Sequence, residues 1–184
     1  MRFGLKPILL IFILGFAGCQ SDSNLTSGAA KPYFDVPGYF SEAASSLQNS
    51  EIWLKKTYSV DGKQEYKRSK PASWQEEFAI FSSIDINKSS FIGKYQIDTT
   101  SVPEGIQTRY SCNDPKLPVK SLTIVEDALG NIESIEAVKL DHSIVLDSEV
   151  RWQYIPSLGY TVSGKRSINN LAPTVFSISA IFAN

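Results

Sequence analysis

Three kinds of side chain in this sequence could do chemistry: two thiols (Cys19 and Cys112), one imidazole (His142) and several adjacent carboxylates. Cys19 directly follows Ala17 and Gly18 at the end of an apolar run, where its sulfur can take up a lipid as a thioether. His142 lies in Asp141-His142-Ser143, which holds the three residue types of a hydrolytic triad. Successive side chains on a strand point to opposite faces, so these three neighbours cannot meet as a catalytic unit. One imidazole and one further thiol cannot supply an ordinary zinc site. Glu76-Glu77 and Glu126-Asp127 are neighbours of the kind that decorate helix and hairpin surfaces. A carboxylate pair for hydrolysis needs a shared pocket and separated pKa values, and a carboxylate-based hydrolase stays open as an alternative. The glycines are scattered, and none forms a phosphate-cradling loop between a strand and a helix. The expectation is a non-enzymatic protein without a cofactor or metal.

The segment that positions Cys19 explains why that residue matters. Arg2 and Lys6 precede the apolar run from Ile8 to Phe16, and Ala17-Gly18-Cys19 closes it. An apolar core of about nine residues falls well short of the roughly 20 that a spanning helix needs. Basic, apolar and small residues in that order are the pattern of a secretory signal. The arrangement resembles the lipobox of bacterial lipoproteins, which implies that Cys19 becomes the first mature residue, with a diacylglycerol thioether and an acylated amine. Two or more chains anchor stably, since each buried methylene contributes about 0.8 kcal/mol. Residues 1–18 are then the signal, 19–31 the lipidated cysteine with a flexible tether, and 32–184 a single domain. The polar stretch from Gln20 to Lys31 cannot bury enough apolar surface to order itself. A chain of about 12 residues reaches roughly 20 Å.

Removing 18 of 184 residues leaves 166, enough for one domain with a real core. Two of the 18 basic residues lie in the signal, so 16 oppose 19 acidic ones and the mature charge is near −3. That balance excludes a strongly basic nucleic-acid surface. With Cys19 acylated no intramolecular disulfide can form, and Cys112 reads as a small buried hydrophobe.

Downstream, Asp35 is placed to cap a helix over 37–49 with Pro37 in its first turn and Phe40, Ala43, Ala44 and Leu47 on one face. Residues 51–60 alternate, with Ile52, Leu54, Tyr58 and Val60 on one side and Lys55, Thr57 and Ser59 on the other; Asp61-Gly62 then turns the chain into a polar strand ending near Arg68. The basic residues of this hairpin suit an exposed sheet edge, or a surface meeting acidic headgroups. Ser73 and Glu76 have capping-box spacing, and Trp74, Phe78, Phe81 and Ile84 form an apolar stripe on a second helix ending near Asp85. From Ser90 the period is two, giving strands over 91–99, 106–112, 119–126, 132–140, 143–155, 159–168 and 175–182. The fold class is α+β: a curved antiparallel meander with two helices on its apolar face.

Tyr33 to Phe40, Leu54-Lys55-Lys56-Thr57 with Asp61-Gly62-Lys63, Trp74-Gln75-Glu76-Glu77, and Asp85-Ile86-Asn87-Lys88 together resemble a family of small cell-envelope lipoproteins of Bacteroidetes. The resemblance implies an envelope lipoprotein and supplies no active-site residues to carry over. Asp98-Thr99-Thr100 is similar to the short O-glycosylation motif of that phylum. Gln20 and Ser21 after the cysteine imply the outer membrane, on its periplasmic face, by analogy with other Gram-negative lipoproteins. The leading expectation is a lipid-anchored domain that binds an envelope protein or polysaccharide. Two alternatives are a carrier holding a lipid or other apolar ligand between sheet and helices, and the carboxylate hydrolase.

Overall fold

The computed structural model describes residues 31–169 and 171–183. The signal, Cys19 and the tether up to Ala30 lie outside the described residues, as does Asn170 of the expected Asn169-Asn170 turn.

The first helix, α1 (Val36–Leu47), begins where the capping chemistry places it. The Asp35 carboxylate accepts from the Gly38 amide at 3.1 Å, satisfying a donor that the first turn leaves orphaned. A Cβ on Gly38 would lie 2.2 Å from that carboxylate, so a glycine is required for the closure. Val36, Phe40 and Ala44 form the buried stripe. The second helix, α2 (Trp74–Phe78), starts at Ser73, whose hydroxyl accepts from the Glu76 amide at 3.2 Å. It does not run to Asp85 as an α-helix. After Phe78 the chain tightens into a 3-10 turn over Ala79–Ile84, where the Ser82 hydroxyl donates to the Ala79 carbonyl at 2.8 Å. Serine hydroxyls compete with the ladder for such carbonyls. The predicted stripe survives the change, because Trp74, Phe78, Phe81 and Ile84 are all buried.

Among the described residues nine strands follow the period-two pattern: β1 (Trp53–Val60), β2 (Lys63–Ser69), β3 (Gln96–Val102), β4 (Gly105–Ser111), β5 (Val119–Glu126), β6 (Ile132–His142), β7 (Leu146–Ile155), β8 (Gly159–Ile168) and β9 (Thr174–Ala183). All pairings are antiparallel, in the order β2-β1-β9-β8-β7-β6-β5-β4-β3. The sheet and two helices make the domain α+β. The expected start of β3 at Phe91 is wrong: Ser89–Phe91 is a 3-10 turn and Gly93 takes φ +75°, which delays the strand to Gln96. Likewise β7 starts at Leu146 rather than Ser143, because the Ser143 hydroxyl accepts from the Leu146 amide at 3.0 Å inside a tight turn.

One adjacency breaks sequence order. β1 pairs with β9, from Trp53 opposite Ala183 to Val60 opposite Phe176. The β1–β2 hairpin therefore extends the far side of the meander, and β2 is an edge strand with its residues almost wholly exposed, as its lysines suggest. The link from β2 to β3 must cross from one edge to the other, and this link carries α2 and the 3-10 turns. The pairing registers put Leu54, Ala180, Tyr160, Tyr154, Ile135 and Ile124 in one set of projections. Aromatic residues of the helical segments meet members of that set: Phe40 against Tyr154 at 4.9 Å, Phe81 against Tyr160 at 5.6 Å and Trp74 against Phe182 at 5.8 Å between ring centroids. Phe40 and Phe81 are stacked at 3.8 Å. Burial of each such ring contributes about 1.5–3 kcal/mol.

The Asp85-Ile86-Asn87-Lys88 segment fastens the entry of the domain. Asn87 donates to the carbonyls of Tyr33 and Phe34 and accepts from the Tyr33 amide, all within 3.2 Å. Asp85 orients it by accepting from the Asn87 amide at 2.8 Å.

Candidate functional site

The opposite register set contains Thr57, Ser59, Ser177, Ser179, Thr161, Ser163, Arg151, Gln153 and Glu136. It is rich in hydroxyls because each of these positions alternates with an apolar residue of the other set. Three clefts run along it, of about 370, 340 and 250 Å³. Glu149 and Lys165 line the first two, and Arg151 and Ser163 line the first and third. At their centre the Glu149 carboxylate accepts from Arg151 at 2.5 Å and faces Lys165 at 3.3 Å. Hydrogen bonding from Lys165 and then from Arg151 holds Glu149 below the usual carboxylate range. Gln153 donates to Glu136 at 3.1 Å across β7 and β6.

The 340 Å³ cleft contains His142, Asp147, Glu149 and Ser167. His142 Nδ1 lies 2.8 Å from Asp147, with both side chains exposed. The register order is His142, Asp147, Ser167, which places the carboxylate between the other two. A triad needs the imidazole in the middle, and the Ser167 hydroxyl is turned to the Leu171 carbonyl. Asp141 pairs with Lys139 at 3.0 Å and the Ser143 hydroxyl closes its own turn, so Asp141, His142 and Ser143 have three separate sets of partners. A glycosidase-type acid has a raised pKa; Glu149 is moved in the opposite direction.

On the same register set, at the hairpin edge, Trp53 and Tyr66 are exposed, and the Arg68 guanidinium lies 4.9 Å from the Trp53 ring centroid. Cys112 is buried just beyond β4, and its sulfur accepts from the Asp114 amide at 3.4 Å. Cys19 lies outside the described residues. Among the described residues no three His, Cys, Asp or Glu side chains group to hold a metal ion, and no helix is long and apolar enough to cross a membrane.

Two placements were not anticipated. Glu77 is not surface decoration: it pairs with Lys56 at 2.6 Å and accepts from the Tyr160 hydroxyl. The signal was present, since Lys56 shares a face with Leu54 and Tyr58. The Arg151, Glu149 and Lys165 group was half legible, because Glu149 and Arg151 alternate with Val150 and Trp152; the partner on β8 needed the register. The clefts around Glu149 and Arg151 draw their lining from the strands and their turns. Comparison with family models, with curated proteins and with solved structures found no match.

Proposed function

We propose that this protein is a lipid-anchored lipoprotein of the outer membrane, held through Cys19, whose domain is a non-enzymatic binding module. In this reading the helices cover one face of a curved sheet and leave the hydroxyl-rich face free for an envelope polysaccharide or protein. The observation that carries it is the linked clefts along β7 and β8, whose charges are already matched among Glu149, Arg151 and Lys165. Matched charge among hydroxyls favours recognition over proton transfer. The carrier alternative gains nothing from the aromatic contacts between helices and sheet, where Phe40, Phe81, Tyr154 and Tyr160 meet ring to ring.

The test uses the full chain expressed in a Gram-negative host. The wild type incorporates a metabolically supplied alkynyl fatty acid and partitions with outer membranes, whereas Cys19→Ser does neither. Purified envelope polysaccharide is then titrated against the wild type and Ser163→Arg, which puts a bulky side chain into the two clefts that Ser163 lines. Saturable binding lost in the variant supports the reading. Equal binding by both proteins removes this face from consideration.

A further inference from the structure

One end of the sheet bears an aliphatic fringe. The β6–β7, β8–β9 and β1–β2 turns lie side by side there, joined by hydrogen bonds from the Asn169 amide to the Val145 carbonyl at 3.0 Å and from the Asp61 amide to the Val175 carbonyl at 2.8 Å. Ile144 is 99% exposed at the tip of the first turn and Leu171 67% exposed on the second. Val145, Ile168, Val175 and Val60 beside them are each at least half exposed. Soluble surfaces rarely gather so many large aliphatic side chains in one place without a partner.

We infer that this fringe is a bilayer-docking edge, dipping into the lipid surface to which Cys19 tethers the domain. The inference rests on the anchoring reading above. The chain enters the domain at this same end: Tyr33 packs edge-on against Tyr95 and Tyr110, and its hydroxyl accepts from the Gly93 amide at 2.8 Å, immediately before β3. β3 begins, and β6 and β8 finish, at the same side of the sheet. Strands are about 4.8 Å apart, so the β6–β7 turn lies roughly 14–19 Å across the sheet from the start of β3 and the β8–β9 turn roughly 24–29 Å, against a mean reach of roughly 20 Å for a chain of about 12 residues. A domain tethered at this end of its strands turns that end, the β6–β7 turn foremost, toward the bilayer.

Charge agrees with this orientation. Lys63 and Arg166 flank the fringe without an ion-pair partner among the described residues, and Lys94 and Lys116 lie at the same end. Asp61, the acidic group of the β1–β2 turn, is engaged by the Val175 amide. The opposite end carries Glu104 and Asp127 on its turns, and its basic groups Arg68 and Lys70 are taken up by Trp53 and Glu51. Leu129 and Leu158 are exposed there too, with Ile106 and Ile181 on the strands beside them. Asp141 and Asp147, at the β6–β7 turn, are paired with Lys139 and His142, so the aliphatic tips flanked by Lys63 and Arg166 suit an anionic lipid surface, with burial of roughly 5–10 Å.

The experiment places a nitroxide at Ile144→Cys, Leu171→Cys or Leu129→Cys in the full-length lipidated protein, in vesicles of phosphatidylethanolamine and phosphatidylglycerol. All three sites are exposed, so the label does not disturb the core. The ratio of oxygen to nickel-chelate accessibility is expected to be several-fold higher at 144 and 171 than at 129. Equal ratios at the three sites in protein that floats with the vesicles would overturn the docking edge and leave the anchor standing. Failure of the wild type to float would remove the anchor and the docking edge together.

Discussion

Lys56 of β1 and Glu77 of α2 form an ion pair of 2.6 Å with side chains only 14% and 11% exposed. The second carboxylate oxygen of Glu77 accepts from the Tyr160 hydroxyl on β8, so one acidic side chain ties a helix to two strands that are not neighbours. Burial, and after it the Glu77 carboxylate, raises the Tyr160 phenol far above its ordinary value. Removing one partner of such a pair leaves a charge without compensation. Lys56→Met is expected to cost about 3 kcal/mol, read by chemical denaturation. Adding Glu77→Gln should restore much of that loss, because a glutamine oxygen can still accept from Tyr160 and carries no charge.

Phe81 is fully buried, stacked on Phe40 and edge-on to Tyr154 and Tyr160. Phe81→Ala should lower stability by about 3–5 kcal/mol, measured in the same denaturation experiment. Ser82→Ala, one residue along on an exposed hydroxyl, should change it by less than about 0.5 kcal/mol.

Gly159 opens β8 at φ +133°, where a Cβ would lie 2.0 Å from the Ala180 carbonyl oxygen. Gly159→Ala must therefore push β8 and β9 apart. A loss of more than about 2 kcal/mol is expected from the strain and the separated ladder. Gly130 has φ +82° but open space around it, so Gly130→Ala should cost only about 1 kcal/mol. Paired melting curves separate the two.

Asp127 has a depressed pKa, held down by hydrogen bonds from the Asn131 side chain and amide and from the Leu129 amide. A group whose folded pKa lies below its unfolded value stabilises the fold above the unfolded value and loses that contribution as the pH falls. With an ordinary value of 3.8, the loss falls below about pH 4. Asn131→Ala should move the Asp127 carboxyl back toward its ordinary value in a carbon-detected NMR titration.

The sequence contains two cysteines. Buried Cys112 should react with a disulfide reagent only after denaturation. If Cys19 carries a thioether, the denatured mature protein titrates as one thiol. Two thiols would refute lipidation.

The local signals in this sequence were strong where one physical preference acted alone. Asp35 and Ser73 cap the helices as their spacing demands, and β5 and β8 occupy the residues at which alternation begins and ends. The reading failed where two preferences competed. The back half of the predicted helix is a 3-10 turn, with the Ser82 and Ser83 hydroxyls donating to the Ala79 and Ile80 carbonyls, although the apolar stripe continues. Val60 alternates correctly with Leu54 and Tyr58 yet is half exposed, because alternation assigns a side and says nothing of how far the cover extends. Lys56 sat in an apolar register and was passed over for its charge. The candidate site was the least legible, since Lys165 reaches Glu149 only through the β7–β8 register. The pairing of β1 with β9 left no local trace at all.

That pairing dictates an order of events. The strand that shields one side of β1 follows almost everything else in the domain, so a nascent fragment that lacks β9 cannot seat its first hairpin. The unfinished polypeptide has a long wait with an unpaired strand, as expected for a topology of distant contacts. A chain that stays loose until β9 emerges locks shut only once that strand has joined the sheet.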